Sequence, residues 1–386
     1  MREIAVIGIG QTSIDEHWDK SLRDLAGEAS LAAMEDAGVH GVDGLFVGNM
    51  MSGSANHQQQ LGAHIADWIG VRYANAMHIE SACSSGSAAF RAALMAVGSG
   101  MMEIALAVGV EKMTDSPGSE ITAQLATAAD ADWEASQGVS FIALNALIMN
   151  RYMHEYGWEH HHFAPFSINA HANASHNPVA RLSKPISEKE YINAPMICPP
   201  INLMDSSSVG DGAAAVVIVP VEVLKNLPPR TEIRVLGSGA ATDTIAVHSR
   251  KQPLWLSAAE KSALQAYKMA GVSPADIDLF ELHDAFSIMS ALSLEASGFA
   301  QPGQGPRLGL DGEIGIGGRI PICTRGGLKA RGHPVGATGI YQIVEVVQQL
   351  RGEATGTQVE DARIGMAQNI GGSGSNIITH ILGRMN

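Results

Sequence analysis

Three residue types that can do acyl chemistry stand in distinctive settings: a cysteine, two histidines and a glycine-rich turn. Cys83 lies in Glu80-Ser81-Ala82-Cys83-Ser84-Ser85-Gly86-Ser87-Ala88-Ala89, followed by a helical run to about Val97. That places the thiol at or near a helix N-terminus, where unpaired N–H groups and the helix dipole favour thiolate. On this segment alone a nucleophile and an inert buried thiol are equally compatible. His333 lies in Arg331-Gly332-His333-Pro334-Val335-Gly336-Ala337-Thr338-Gly339. Proline suits the first position of a helix, so His333 is expected as or beside an N-cap. There an imidazole stays neutral and able to take a thiol proton, or else merely caps its helix.

His283 opens His283-Asp284-Ala285-Phe286, directly after the strand-like Asp278-Leu279-Phe280-Glu281. Ligand sites of α/β proteins collect at such strand ends, and Asp284 is expected to cap the helix that follows. The run Gln368-Asn369-Ile370-Gly371-Gly372-Ser373-Gly374-Ser375 can present backbone N–H groups to an oxyanion. Other motifs fit less well. Gly8-Ile9-Gly10-Gln11-Thr12-Ser13 lacks the third glycine of a dinucleotide fingerprint, and His154-Glu155-Tyr156-Gly157-Trp158 lacks the second histidine of a zinc-protease helix. His160-His161-His162 reads as a solvated run, and no metal site is expected.

The elements that must position these groups come twice. A strand Ile4 to Ile9, a helix Ser21 to Ala37 stopped by Gly38, a strand at Leu45-Phe46-Val47 and another from Met102 to Val110 fill the first part. Arg234 to Gly237, a helix Ser257 to Ala270 stopped by Gly271, Asp278 to Glu281 and Arg363 to Gln368 repeat that order. The pattern predicts an α/β fold of two copies about a pseudo-twofold axis, with the helix starts at Cys83 and His333 facing each other. One half is expected over residues 1–113, closed by a strand at about 206–222, and the other over 230–386. Residues 114–205 form an inserted loop domain, histidine- and asparagine-rich from His154 to His176, that could cover a substrate larger than the reacting group.

Bulk properties narrow the class. The 386 residues are 46% hydrophobic and 17% charged, which fits globular domains with their own cores. A formal charge of −14 without a basic stripe argues against nucleic acid as partner. Three dispersed cysteines, Cys83, Cys198 and Cys323, make no disulfide framework and fit a reducing compartment. No membrane span is expected, and the early strand leaves no room for a signal peptide, so cytoplasm is the expected location.

Together these segments resemble the thiolase superfamily over essentially the whole chain. Ser81 to Gly86 is similar to the nucleophile segment, and Gly332-His333-Pro334 with Gly336-Ala337-Thr338-Gly339 to the GHP block. Ser208-Val209-Gly210-Asp211-Gly212-Ala213-Ala214-Ala215 is similar to the SDGAAA strand. The HDAF motif resembles the sterol-carrier-protein-2-like and archaeal branch. The resemblance implies a layered α-β-α-β-α fold and an acyl-CoA C-acyltransferase, acetyl-CoA acetyltransferase or 3-ketoacyl-CoA thiolase. Coenzyme A thioester would be the substrate, with no tightly bound cofactor. It further implies that Cys83 is acylated after His333 takes its proton. His283 and His333 would bind the thioester oxygen of the condensing enolate, while the N–H groups of Cys83 and Gly371 form a second oxyanion hole. Arg181 and Lys184 would be phosphate contacts under the loop domain.

One departure stands out. The family's second cysteine, the acid/base at the substrate α-carbon, is replaced by Asn369, and residue 285 is alanine. Cys323, a few residues before the GHP block, is a candidate for that role, against the alternative of a structural thiol. The resemblance implies a homodimer or dimer of dimers, and admits a small zinc-ribbon/OB-fold partner and an HMG-CoA-synthase-like partner. Retro-aldol cleavage with such a partner, or a non-catalytic acyl-CoA or lipid scaffold, are the competing functions. An intact Cys83 with His333 argues against the scaffold.

Overall fold

A computed structural model describes residues 2–227 and 230–385. Each half builds the same frame. In the first, β1 (Ile4–Gln11) leads to α1 (Leu22–Ala37), which Ser21 caps with a reciprocal Asp24 bond and Gly38 ends in the left-handed conformation. There follow β2 (Gly44–Gly48), the short α2 (Ser52–Ala55) and α3 (Leu61–Trp68), and β3 (Asn75–Ile79). Then come α4 (Ser85–Gly98) and β4 (Ala105–Glu111), the latter starting three residues later than its sequence suggests. The inserted region carries α5 (Gly118–Ala126), α6 (Phe141–Tyr156), α7 (Ala164–Ala174), α8 (Glu188–Ile192) and a small hairpin, β5 (Met196–Cys198) and β6 (Ile201–Asn202). It returns through β7 (Gly212–Pro220).

The second half runs β8 (Ile233–Thr242), α9 (Ser257–Ala270), β9 (Leu279–Glu281), α10 (Ser287–Ala296), α11 (Gly305–Leu310), α12 (Thr338–Arg351), β10 (Ile364–Gly371) and β11 (Asn376–Arg384). The nine-stranded sheet has the order β3-β2-β4-β7-β1-β8-β11-β10-β9. Reading outward from the antiparallel β1–β8 contact gives β1-β7-β4-β2 on one side and β8-β11-β10-β9 on the other. The duplication extends to single bonds. Asp43 Oδ2 accepts the N–H groups of Glu103 and Ile104 ahead of β4, and Asp278 Oδ2 accepts those of Arg363 and Ile364 at the start of β10.

Alternation along the strands makes the layers. In β7, Ala214, Val216 and Ile218 pack into a central core with Phe90 of α4 and Ile340 and Val344 of α12, while Ala213, Ala215 and Val217 face α1. A third core joins α9, β10 and β11 to α6 and α10. Thus α4 and α12 form the buried middle layer, with α1 and α9 outside. These two helices meet at glycines: a Cβ on Gly86 would lie 2.8 Å from the Gly336 carbonyl oxygen, and one on Gly339 would lie 2.5 Å from Ser87 N. Close approach at these glycines brings the residues ahead of both helices together.

Candidate active site

The Cys83 turn is a strained corner between β3 and α4. Ala82 has φ +48°, tolerable for so small a residue, and the corner is tied by serines. Ser84 Oγ donates to the Ser81 carbonyl at 2.6 Å and Ser85 Oγ to the Ala82 carbonyl at 2.6 Å. Cys83 therefore sits just ahead of α4, half-buried and open to a cavity of about 420 Å³. Contrary to a simple helix-terminus effect, burial pushes its thiol up to about 12, and the Glu111 carboxylate adds to the push. The N–H groups of Cys83 and Gly372 act the other way. Glu111 is fully buried and accepts from Asn49 Nδ2 at 2.7 Å and from the N–H groups of Met50, Met51 and Gly336. Burial nonetheless raises its pKa to about 7.

His333 reaches the same cavity from a different construction than expected. Pro334 does not start α12. A 3₁₀ turn, Val335–Ala337, intervenes, and His333 precedes the helix by one more turn. Its N–H donates to the Ser208 carbonyl at 2.9 Å, and its Nδ1 lies 2.6 Å from Thr338 Oγ1. The segment before it is tightly wound, with a π turn over Gly327–Arg331 and Gly326, Gly327 and Gly332 at positive φ. Asp284 holds this turn, accepting from Leu328 N at 2.6 Å and Lys329 N at 3.4 Å, so it does not cap α10.

The asparagines of the inserted region explain themselves here. Asn169, Asn173 and Asn177, four residues apart, donate to the carbonyls of Ile322, Cys323 and Arg325 at 3.0, 3.1 and 2.8 Å. They satisfy a loop whose own backbone has left regular structure. Within the histidine run, His160 is tied to Asp205 Oδ2 at 2.6 Å and stacks on Tyr191, so it is not part of a solvated face. Among the described residues no group of three or more His, Cys, Asp or Glu could hold a metal ion.

His283 follows β9 and lines the cavity beside Cys83 and His333. Both imidazoles are buried, and both are held below the ordinary imidazole range. Burial is the first cause and the charge of Arg331 another, taking His283 down to about 3 and His333 well below its usual value. Arg331 itself is buried and paired with Glu345 at 2.6 Å. Both histidines are therefore neutral near pH 7.

The remaining expected residues divide. Asn369 is buried on β10, with Nδ2 3.0 Å from His283 Nδ1. Gly371 belongs to β10, paired with Asn376, and Gly372 is the one that lines the cavity and turns its N–H to the sulfur. Cys323 does not line the cavity. Its buried thiol points toward the Leu282 carbonyl, and burial with Asp284 and Glu281 pushes it well up. Arg181 stands on the cavity wall, but its guanidinium is paired with Asp15 at 2.9 Å and Glu16 at 2.5 Å. Lys184 is exposed and lies off the lining, and its carbonyl accepts from His171 Nδ1.

Residues 4–222 match the family model described as thiolase, N-terminal domain, and residues 239–384 match that described as thiolase C-terminal domain-like. The chain belongs to the thiolase family. An acetyl-CoA acetyltransferase of Methanothermobacter thermautotrophicus is 45% identical over 386 residues, covering 100% of both chains. Sterol carrier protein 2 of Bos taurus is 29% identical over 392 residues, covering 97% of this chain and 71% of its own length. Among solved structures, the Ltp2-ChsH2(DUF35) aldolase superposes with a TM-score of 0.85 at 25% identity, covering 99% of this chain and 98% of that one. The expected superfamily and branch are thus met, and the chain is an enzyme of the thiolase acyltransferase kind. Behind the cavity of this thiolase stand three residues to which the sequence reading gave no part: Glu111, with Thr338 beside His333 and Arg331 near both imidazoles.

Proposed function

We propose that this thiolase forms or cleaves 3-ketoacyl-CoA, acetoacetyl-CoA first among them, through an acyl group carried on Cys83. Coenzyme A enters as the thioester carrier of the substrate. One observation supports this above the rest: Cys83, His283 and His333 open on one cavity, with both imidazoles neutral. A thiol held near 12 is a poor nucleophile until a base takes its proton, and His333 is the base on hand. Attack on the thioester carbon then expels the coenzyme A thiolate, which receives that proton. The N–H groups of Cys83 and Gly372 hold the tetrahedral oxygen, and His283 faces the thioester oxygen of the second substrate. In this reading residues 1–113 and 230–386 supply the two halves of the site, and residues 114–205 lie over the coenzyme. Arg181 would reach a phosphate only by giving up its present carboxylates.

Incubation with acetyl-CoA followed by intact mass and peptide mapping tests the reading. One acetyl group on Cys83 is expected, absent in Cys83→Ala. Failure of the wild-type chain to acylate at Cys83 would sink it. A second reading has its own support in Asn369 and the likeness to the Ltp2-ChsH2(DUF35) aldolase. Here the same cavity performs retro-aldol cleavage or acyl transfer with a small zinc-ribbon/OB-fold partner. Native mass spectrometry of the assembly from its own cell separates that complex from a homodimer, a dimer of dimers or a complex with an HMG-CoA-synthase-like chain.

A further inference from the structure

The two cavity histidines differ in what holds their inner nitrogens. His333 Nδ1 faces a hydroxyl, Thr338 Oγ1 at 2.6 Å, and a hydroxyl can give or take a proton in a hydrogen bond. His333 can therefore change tautomer or become charged without losing its partner. His283 Nδ1 faces Asn369 Nδ2 at 3.0 Å, and an amide nitrogen only donates.

Which end of the amide faces His283 follows from the surroundings of its other end. Asn369 Oδ1 has no hydrogen-bond partner of its own and lies in the gap where α4 and α12 cross. The point a Gly339 Cβ would occupy is 2.4 Å from Oδ1, 2.4 Å from Ser87 Oγ and 2.5 Å from Ser87 N. Ser87 is in the first turn of α4 and Gly339 in the first turn of α12. First-turn N–H groups lack intrahelical partners and carry the positive end of the helix dipole. The Ser87 hydroxyl can serve either end of the amide, but the N–H groups and the dipole favour an oxygen, so the nitrogen is the end turned to His283.

We propose that Asn369 is a positioning residue: by donating to His283 Nδ1 it puts the His283 proton on Nε2. His283 is then a fixed N–H donor to the cavity, and His333 carries the proton in both half-reactions. This rests on the acyl-cysteine reading above.

The protons balance with one base. In acylation His333 takes the Cys83 proton as the sulfur–acyl bond forms, and passes it to the coenzyme A thiolate as the old thioester bond breaks. His333 is neutral again. It next takes a proton from the α-carbon of the second thioester, whose enolate oxygen rests on His283 Nε2–H. The carbanion pair bonds to the acyl carbon, the bond to Cys83 breaks, and the thiolate recovers the proton from His333. No second thiol is required, in keeping with asparagine at 369 and with Cys323 off the cavity lining.

The test reads the tautomer directly. Long-range ¹H–¹⁵N correlation spectra of histidine-labelled protein, with His283→Gln for assignment, or neutron diffraction, should find the proton of His283 on Nε2 in the wild type. A proton on Nδ1 would overturn the inference. Asn369→Leu keeps the volume and removes the donor. It should mix the tautomers, cut condensation by about 10²-fold and raise the ratio of acylation to condensation at least about tenfold. Equal loss of both steps in a folded variant would mark Asn369 as merely structural and overturn the proposal. If that variant does not fold, the wild-type tautomer still decides. A wild type that shows the Nε2 proton yet never acylates Cys83 would refute the acyl-cysteine reading while leaving the hydrogen-bond assignment in place.

Discussion

The imidazoles of His283 and His333 meet edge to face, with ring centres 5.1 Å apart and planes at 86°. Perpendicular rings this close cannot both carry a proton charge, and the nearby Arg331 strengthens that exclusion. A neutral pair is able to divide its work, one nitrogen donating a hydrogen bond while another takes a proton.

That division predicts the behaviour of His283→Ala. Acylation of Cys83 should stay within roughly tenfold of wild type, while condensation falls by about 10²-fold or more through loss of an oxyanion donor. Single-turnover acylation measured beside steady-state product formation gives both numbers. Equal losses in the two would refute the split of roles.

His333→Ala should slow acylation at neutral pH by about 10²–10⁴-fold. The pH profile carries the sign. With the thiol near 12, the thiolate fraction in the variant grows about tenfold per pH unit across the alkaline range. Wild-type acylation should be flatter, and should hold as pH falls through about 6.5, because burial keeps His333 a free base below its ordinary titration range. A variant that acylates at the wild-type rate would reduce His333 to a structural residue.

Cys323→Ser should leave both half-reactions within about threefold, since the thiol faces the Leu282 carbonyl behind the cavity wall. Loss of condensation with acylation intact would instead make Cys323 the α-carbon base, and a one-base mechanism would be untenable.

How far the sequence reached can be judged from these residues. Ser21 and Gly38 announced α1 because caps act within four residues, and the alternating strands announced their layers. The pairing of Cys83 with His333 was legible through the repeated order of elements. The lining glycine was not: Gly371 and Gly372 are identical in type, and it is Gly372, one residue past the β10–β11 pairing, that lines the cavity. Pro334 misled because its fixed φ suits a 3₁₀ turn as well as a helix start. Asp284 misled because its nearest helix in sequence is not the turn it touches in space. Glu111 and Arg331 act through burial and long-range charge, which local patterns do not carry.

The asparagine ladder yields the last prediction. Asn173 donates to the carbonyl of Cys323, a residue held at φ +48° where the loop to His333 begins. Both residues are buried, and Asn173→Ala removes one of the two donors to that carbonyl, leaving the Gly326 N–H at 2.9 Å, at a cost of about 0.5–1.5 kcal/mol in chemical unfolding. Asn173→Asp should be worse at neutral pH, because an ionised carboxylate facing a carbonyl oxygen repels where the amide donated. A protonated carboxyl can donate again. Burial raises the pKa of that aspartate in the folded state above the unfolded value of about 3.9, so the folded protein binds the extra proton. The deficit of Asn173→Asp relative to wild type should therefore shrink as pH falls through the raised folded value, and stop changing below the unfolded one. Asn173→Ala has no such group, and its deficit should not follow pH in that window. Parallel pH dependences for the two variants, or an Asn173→Ala protein as stable as wild type, would show that the ladder does not hold the loop.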